Sequence, residues 1–216
     1  MMKKIASKLH IKPAQLGKIE IVRRSIDARK KQDILYNYTL DVEVEGENQV
    51  LARLKKEKNI ERTKRTVYEL TKMGEEKLKH RPVVVGFGPA GIFAALSLAR
   101  RGYRPIVIER GEEVETRSKT VEEFWKSGKL NEESNVSFGE GGAGTFSDGK
   151  LNTLVKDHIG RNTFVMRTLV EFGADKEIIY DHKPHIGTDR LKEVIAGIRK
   201  EIIRCGGEVH FRTKLC

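Results

Sequence analysis

Residues 83–109 read VVVGFGPAGIFAALSLARRGYRPIVIE, and this stretch decides the fold of the second part of the chain. A β-rich run of three valines is followed by Gly86, Gly88 and Gly91, and Glu109 lies 23 residues after the first glycine. This order predicts a strand, a glycine-rich turn, a helix over residues 92–101 and a second strand, which together form a dinucleotide-binding βαβ unit. The expected inner face of the helix consists of Ala94, Ala95, Leu98 and Ala99.

Each residue of this fingerprint has a predicted role. Gly86 permits a tight turn, Gly88 lets the backbone approach a pyrophosphate, and Gly91 lets the helix pack against the sheet. The phosphates are expected at the helix N-terminus, next to Pro89 and Ala90. Glu109 is expected to accept hydrogen bonds from ribose hydroxyls and to repel a 2′-phosphate, which argues against NADP in this site.

The fingerprint is shared by NAD and FAD proteins, and the sequence that follows favours FAD. An NAD domain normally continues from its second strand into a plain helix and a third strand. This chain instead inserts a second glycine-rich loop, GEGGAGTFSDGKL, at residues 139–151. Its glycines would let backbone amides approach a flat, extended ligand.

The two motifs together resemble a known family. The run ESNVSFGEGGAGTFSDGKL (residues 133–151), placed after VVVGFGPAGIFAALSLARRGYRPIVIERG (residues 83–111), is similar to bacterial FAD-dependent oxidoreductases, labelled FAD- or NAD-utilising dehydrogenases, of the glutathione-reductase-like flavoprotein superfamily. The resemblance implies a Rossmann-type FAD-binding domain whose second loop passes near the pyrophosphate and the isoalloxazine ring. The loop residues implied in cofactor binding are Gly141, Gly142, Ala143, Gly144, Thr145, Ser147, Asp148 and Lys150.

Three charged residues have two interpretations each. Lys150 could place a positive charge near the flavin, or it could be solvated while Asp148 closes an Asx turn. Arg117 could reach a phosphate, because a guanidinium fork matches phosphate oxygens, or it could be a solvated helix residue. Arg110 is included with the cofactor-binding residues although the sequence favours an exposed position for it.

Composition limits the remaining possibilities. The chain has 216 residues, 38% of them hydrophobic, and only two cysteines, Cys205 and Cys216. These values predict an unexported cytoplasmic protein without a disulfide framework or a membrane anchor. The six histidines show no metal-ligand spacing.

The first 80 residues are predicted to be a small basic α+β domain. They carry 20 Lys/Arg and 12 Asp/Glu, and much of this charge lies at Arg23, Arg24, residues 29–31 and residues 55–65. Tyr36 and Tyr38 alternate with polar residues as in a strand. Solvated basic surface is the favoured interpretation, and a nucleic-acid-binding module is the alternative. Residues 71–81 are interpreted as a linker.

The sequence therefore predicts an α/β chain with two parts. The small α+β domain covers residues 1–80, and an incomplete Rossmann-type FAD-binding domain covers residues 81–216. Since members of the resembled family are longer, the second domain is expected to be truncated after its third strand, residues 208–214. The predicted function is the FAD-binding part of a flavin-dependent oxidoreductase, with a nicotinamide nucleotide as one candidate electron donor and an unknown small-molecule substrate. An RNA-associated flavoprotein and an NAD-binding domain are the alternatives, and no catalytic residue is identified.

Overall fold

The computed structural model describes residues 1–64, 66–71, 74–151, 155 and 157–216. The described residues form a mixed α/β protein with two small sheets and two compact units. Unit 1 comprises Met1–Val67, Asp157–Gly160 and Ile179–His182, and unit 2 comprises the remaining residues. The sequence-based division at residue 80 does not anticipate the two short segments that unit 1 takes from the second half of the chain.

Unit 1 is built around a long antiparallel hairpin. Its elements are α1 (Met2–Leu9), a 3-10 turn (Pro13–Gln15), β1 (Leu16–Asp27), β2 (Leu35–Val44) and α2 (Glu47–Arg53). The sequence predicts a first strand from Ile19 to about Ala28 and, from the alternation around Tyr36 and Tyr38, a second strand, and the structure confirms both. Residues 180–182 run along the outer edge of β1, where the Arg24 amide donates to the Tyr180 carbonyl at 2.7 Å and the His182 amide donates to the Arg24 carbonyl at 3.0 Å.

The core of unit 1 is small. It consists of Ala6 from α1, Val50 from α2 and Leu54, which ends that helix. The sequence predicts a helix over residues 49–58, but α2 ends at Arg53. The prediction was wrong at this end because Leu54 is followed by a run of charged residues that offers the core no apolar side chain to bury.

Unit 2 contains a three-stranded parallel sheet in the order β3-β4-β5. Its elements are β3 (Val83–Val85), α3 (Pro89–Arg100), β4 (Ile106–Ile108), α4 (Val114–Ser127), α5 (Arg161–Glu171), α6 (Thr188–Arg204) and β5 (Glu208–His210), with 3-10 turns at Gly142–Phe146 and Lys176–Ile179. The sequence also predicts helices over residues 114–125, 161–172 and 189–203, and each predicted helix and strand of this region is present. The predicted strand over residues 208–214 is shorter, because Arg212 adopts a left-handed φ of 52° and its amide donates to the Gly111 carbonyl.

The core of unit 2 lies between the sheet and helices α3 and α6, which pack against each other. Ile92, Ala95, Leu96 and Ala99 are the buried residues of α3, in the i, i+3, i+4, i+7 pattern of a helix face. The predicted inner face was therefore wrong at Ala94, which is exposed. Five apolar residues of α6 are buried: Leu191, Val194, Ile195, Ile198 and Ile202.

Three residues of the predicted segments lie outside the described part of the chain. They are Arg65, at the end of the second basic stretch, and Lys72 and Met73, in the predicted linker. Among the helices that the structure describes, none is long and apolar enough to cross a membrane.

Candidate functional site

The turn between β3 and α3 is fixed by two of its three glycines. Gly86 has a φ of 88°, which side chains disfavour, and its amide donates to the Ile108 carbonyl at 2.8 Å. A Cβ on Gly91 would lie 2.0 Å from the Gly86 carbonyl oxygen. The chain's own geometry therefore explains why these two positions are glycine.

Gly88 differs from its two neighbours. It has ordinary extended angles, φ −76° and ψ −174°, and the nearest atom that its Cβ would meet is the Cα of Gly142, at 3.9 Å. It is the N-cap of α3, and no side chain of the described residues caps this helix end. The protein itself does not require glycine at position 88, and the space left by the absent side chain opens onto a cleft.

Glu109 follows β4, and its side chain is hydrogen-bonded to the turn between β3 and α3. Its side chain is only 5% exposed, and its two carboxylate oxygens accept hydrogen bonds from the amides of Phe87 at 2.7 Å and Gly111 at 2.9 Å. Glu109 also lines the cleft. Its predicted contact with a ribose stays a prediction, and such a contact has to use the lone pairs that the two amides leave.

The second glycine-rich loop packs directly against the first. The Gly141 amide donates to the Phe87 carbonyl at 2.9 Å, and a Cβ on Gly142 would lie 3.4 Å from the Gly88 Cα. Gly139 approaches Gly111 so closely that a Cβ on Gly111 would lie 2.5 Å from the Gly139 Cα. The sequence predicted that both loops serve one ligand, and the structure brings them together.

Arg117 holds the second loop in place from inside the protein. It is fully buried on α4, its Nε donates to the Asn135 carbonyl at 2.9 Å, and its Nη1 donates to the carbonyls of Glu140 at 2.6 Å and Gly142 at 2.9 Å. Burial lowers the pKa of Arg117 to about 10, so the side chain stays charged at neutral pH. The interpretation as a solvated helix residue was wrong. The predicted phosphate contact stays a prediction, and only Nη2, which has no partner among the described residues, is left to make it.

Glu140 is a second buried charge group in the loop. Its Oε2 accepts a hydrogen bond from the Val114 amide at 2.7 Å and lies 3.2 Å from Nη1 of Arg199 on α6. Burial raises the pKa of Glu140 to about 7. Its Oε1 is buried without a partner in the described part of the chain. Arg117 and Glu140 thus both fix the loop to α4, and Arg199 joins α6 to this anchor.

The glycine loops and the ends of the parallel strands line an open cleft of about 290 Å³. The lining residues come from four stretches of unit 2: Val85, Gly86, Gly88, Ile108, Glu109, Arg110, Ser137, Phe138, Gly139, Gly142, Thr213 and Leu215. The cleft lies beyond the carboxyl ends of β3 and β4, which is where open parallel sheets bind ligands. Five of the sequence-predicted site residues line it: Gly86, Gly88, Glu109, Arg110 and Gly142.

Arg110 and Phe138 form one wall of the cleft. The Arg110 guanidinium lies over the Phe138 ring at 4.2 Å from its centroid, and its Nε donates to Glu133 at 2.7 Å. Arg110 is partly buried, whereas the sequence favoured an exposed position for it. The exposed ring of Phe138 is a flat apolar surface beside the polar turn.

The remaining predicted residues of the second loop do not line the cleft. Thr145 is buried and its hydroxyl donates to the Glu140 carbonyl, whereas the exposed Ser147 donates to the Gly144 carbonyl. Exposed Asp148 accepts the Lys150 amide at 3.3 Å and pairs with the Lys150 ammonium at 2.7 Å. This is the Asx-turn alternative for these two residues.

Seven lining residues were not among the predicted site residues, and three of them, Val85, Ile108 and Gly139, lie within the predicted motifs. Ser137 and Phe138 stand immediately before the second glycine loop, so their position in the chain was a usable signal. Thr213 and Leu215 reach the cleft because β5 pairs with β4 and the Thr213 amide donates to the Glu109 carbonyl at 2.9 Å. No local pattern reveals that pairing. No cluster of three or more His, Cys, Asp or Glu side chains suited to a metal ion occurs in the described ranges.

The chain is similar to a family model and to a relative. Residues 1–43 match a family model described as Domain of unknown function (DUF8436). An uncharacterized protein of Clostridium beijerinckii is 54% identical over 213 residues, which are 99% of this chain. The chain spans 39% of the length of that relative.

Proposed function

We propose that unit 2 is the dinucleotide-binding part of a flavin-dependent oxidoreductase, with a Rossmann-type site for FAD. The observation that carries the proposal is Gly88. Its missing Cβ leaves open space at the N-terminus of α3, on the wall of a cleft at the carboxyl ends of two parallel strands. A pyrophosphate is a ligand that such a position favours, because the helix N-terminus offers amide donors and the positive end of the helix dipole.

The second glycine loop favours FAD over NAD. It lies against Gly88 and Phe87, so a ligand in the cleft contacts both loops at once. The resemblance of both motifs to FAD-dependent oxidoreductases supports the same choice. An NAD-binding domain is the alternative function, since the fingerprint alone accommodates either nucleotide.

The side chains of the cleft have separable roles in this proposal. Glu109 faces the ribose, Arg110 and Phe138 offer a stacking surface, and the turn at Gly86–Gly88 receives the pyrophosphate. FAD, when bound, supplies hydride transfer at the flavin. The electron donor, with a nicotinamide nucleotide as one candidate, and the small-molecule substrate belong to the activity of the whole protein. A cytoplasmic location is part of the same proposal.

Titration of the purified 216-residue chain with FAD, followed by flavin fluorescence, tests the proposal, and NAD⁺ titrated in parallel is the comparison ligand. Saturable FAD binding that Gly88→Val abolishes is the expected result. Binding of NAD⁺ in preference to FAD would support the alternative function. Binding of neither nucleotide would refute a dinucleotide site.

A further inference from the structure

Two aromatic rings are exposed side by side on the hairpin of unit 1, in the half next to the connection between β1 and β2. Tyr36 and Tyr38 are two residues apart on β2 and therefore point to the same face of the sheet. They are 59% and 42% exposed, and their ring centroids are 6.2 Å apart. Exposed apolar side chains that form a contiguous patch, unlike those scattered singly, mark interaction sites.

The opposite strand completes this face. Ile26 pairs with Tyr36 in the register of the hairpin and is 66% exposed, and Arg24 pairs with Tyr38. The Arg24 guanidinium lies 5.4 Å from the Tyr36 ring centroid and is held by Asp181 at 2.6 Å. Asp181 thereby holds the Arg24 guanidinium in its position over the Tyr36 ring.

Positive charge surrounds the same end of the hairpin. Residues 23–33 contain five Lys/Arg and two Asp. Arg29 is paired with Asp27 at 2.5 Å, whereas Lys30 and Lys31, in the exposed connection between the strands, form no ion pair with the residues that the structure describes. Residues 1–67 as a whole carry 17 Lys/Arg and 9 Asp/Glu. The rings therefore stand in a field that attracts polyanions.

We propose that the face formed by Tyr36, Tyr38 and Ile26, together with Lys30 and Lys31, binds single-stranded nucleic acid. Exposed aromatic rings stack on bases irrespective of sequence, and flanking lysines neutralise the phosphates between them. Protein interfaces, by contrast, are depleted of charge at their centre, and lysine is disfavoured there. The surface is independent of the proposed flavin site, since all its residues belong to unit 1.

Fluorescence anisotropy with the full chain and labelled 12-mers of oligouridine and oligothymidine measures the binding. Tyr36→Ala and Tyr38→Ala are each expected to weaken it at least about fivefold, because each removes a stacking platform. Trp125→Ala is the matched control, since Trp125 is an aromatic residue of unit 2 that is 64% exposed. It is expected to leave the affinity unchanged.

A charge-matched pair of variants separates a defined site from attraction by net charge. The double variant Lys30→Gln/Lys31→Gln is expected to make the log–log salt dependence shallower by about 1.4, at about 0.7 per single-strand phosphate. Lys119→Gln/Lys126→Gln removes the same charge from exposed positions of α4 and is expected to change it little.

Three results would overturn the proposal. The first is no binding of either oligonucleotide at 20 mM salt. The second is an equal loss of affinity in Trp125→Ala and in the two tyrosine variants. The third is a dimer, seen by sedimentation, that Tyr36→Ala dissociates while the wild-type chain binds no oligonucleotide, which would assign the face to a second copy of the chain.

Discussion

Alanine at Gly91 is expected to destabilise the fold, whereas alanine at Gly88 is expected to weaken FAD binding, although the two glycines belong to one fingerprint. A Cβ at position 91 would lie 2.0 Å from the Gly86 carbonyl oxygen, which belongs to a turn anchored by the hydrogen bond from the Gly86 amide to Ile108. The backbone has to move, and overpacking of this kind costs about 3 kcal/mol. Alanine regains about 1 kcal/mol as a better helix former. Gly91→Ala is therefore expected to lower the free energy of unfolding by about 2 kcal/mol.

Gly88→Ala meets no such obstacle. Its Cβ would contact only the Gly142 Cα at 3.9 Å, and the backbone angles at position 88 suit any residue. Restricting the unfolded chain favours alanine by about 0.5 kcal/mol, but alanine is a poorer N-cap than glycine by a similar amount, so the free energy of unfolding is expected to change little. The methyl group would, however, occupy the place proposed for the pyrophosphate. FAD affinity is therefore expected to fall about tenfold or more, since one misplaced methyl group costs about 1–3 kcal/mol.

Urea denaturation followed by circular dichroism measures the first effect, and FAD titration measures the second. Gly74→Ala is the control for both, because nothing lies within 4 Å of a Cβ at that position. A Gly91→Ala variant as stable as the wild type would refute the close approach of the turn to α3. Unchanged FAD affinity in Gly88→Ala would refute the placement of the cofactor against this glycine.

Three further predictions concern charged residues of the second loop and its anchor. Burial raises the pKa of Glu140 from 4.5 to about 7, so between these pH values the carboxyl group is protonated in the folded state and ionised in the unfolded state. The free energy of unfolding is therefore expected to fall by about 3 kcal/mol as the pH rises through this window. Glu140→Gln should remove this loss, which urea denaturation at pH 4.5 and pH 8 would detect, and an unchanged pH dependence would contradict the reasoning. Arg117→Met should lower the free energy of unfolding by about 3–5 kcal/mol and speed hydrogen exchange over residues 135–146, because three carbonyls lose their buried donor. The control Arg190→Met, which removes an exposed ion pair with Glu193, should lower it by less than about 0.5 kcal/mol. Lys150→Met should leave FAD affinity and the flavin reduction potential unchanged, since Lys150 is exposed and paired with Asp148; a shifted potential would restore its alternative role near the flavin.

Local patterns were sufficient for most of the secondary structure. The period-2 alternation in unit 1 predicted the second hairpin strand, and the glycine fingerprint predicted β3, α3 and β4 in order. Errors arose where tertiary packing sets the limit of an element. α2 ends where apolar side chains run out, and β5 ends where the chain turns to bond with Gly111.

The candidate site divides in the same way. Gly86 and Gly91 were predictable because their constraint is local: a turn with positive φ and a contact five residues away. The roles of Arg117 and Glu140 were not predictable. Both side chains are buried by residues distant in sequence, and polar residues in a surface-like pattern give no signal that they will become internal anchors.

The sequence by itself thus determined the order of the elements, the glycine turn and the acid that follows β4, because each depends on neighbours within one βαβ unit. Only the tertiary structure decided that the second loop lies against Gly88, that Thr213 and Leu215 complete the cleft, and that Tyr36 and Tyr38 remain exposed. These features depend on which distant segments pack together. That packing is set by the burial of α3 and α6 against the sheet in unit 2 and by the small core of unit 1, and no local periodicity encodes it.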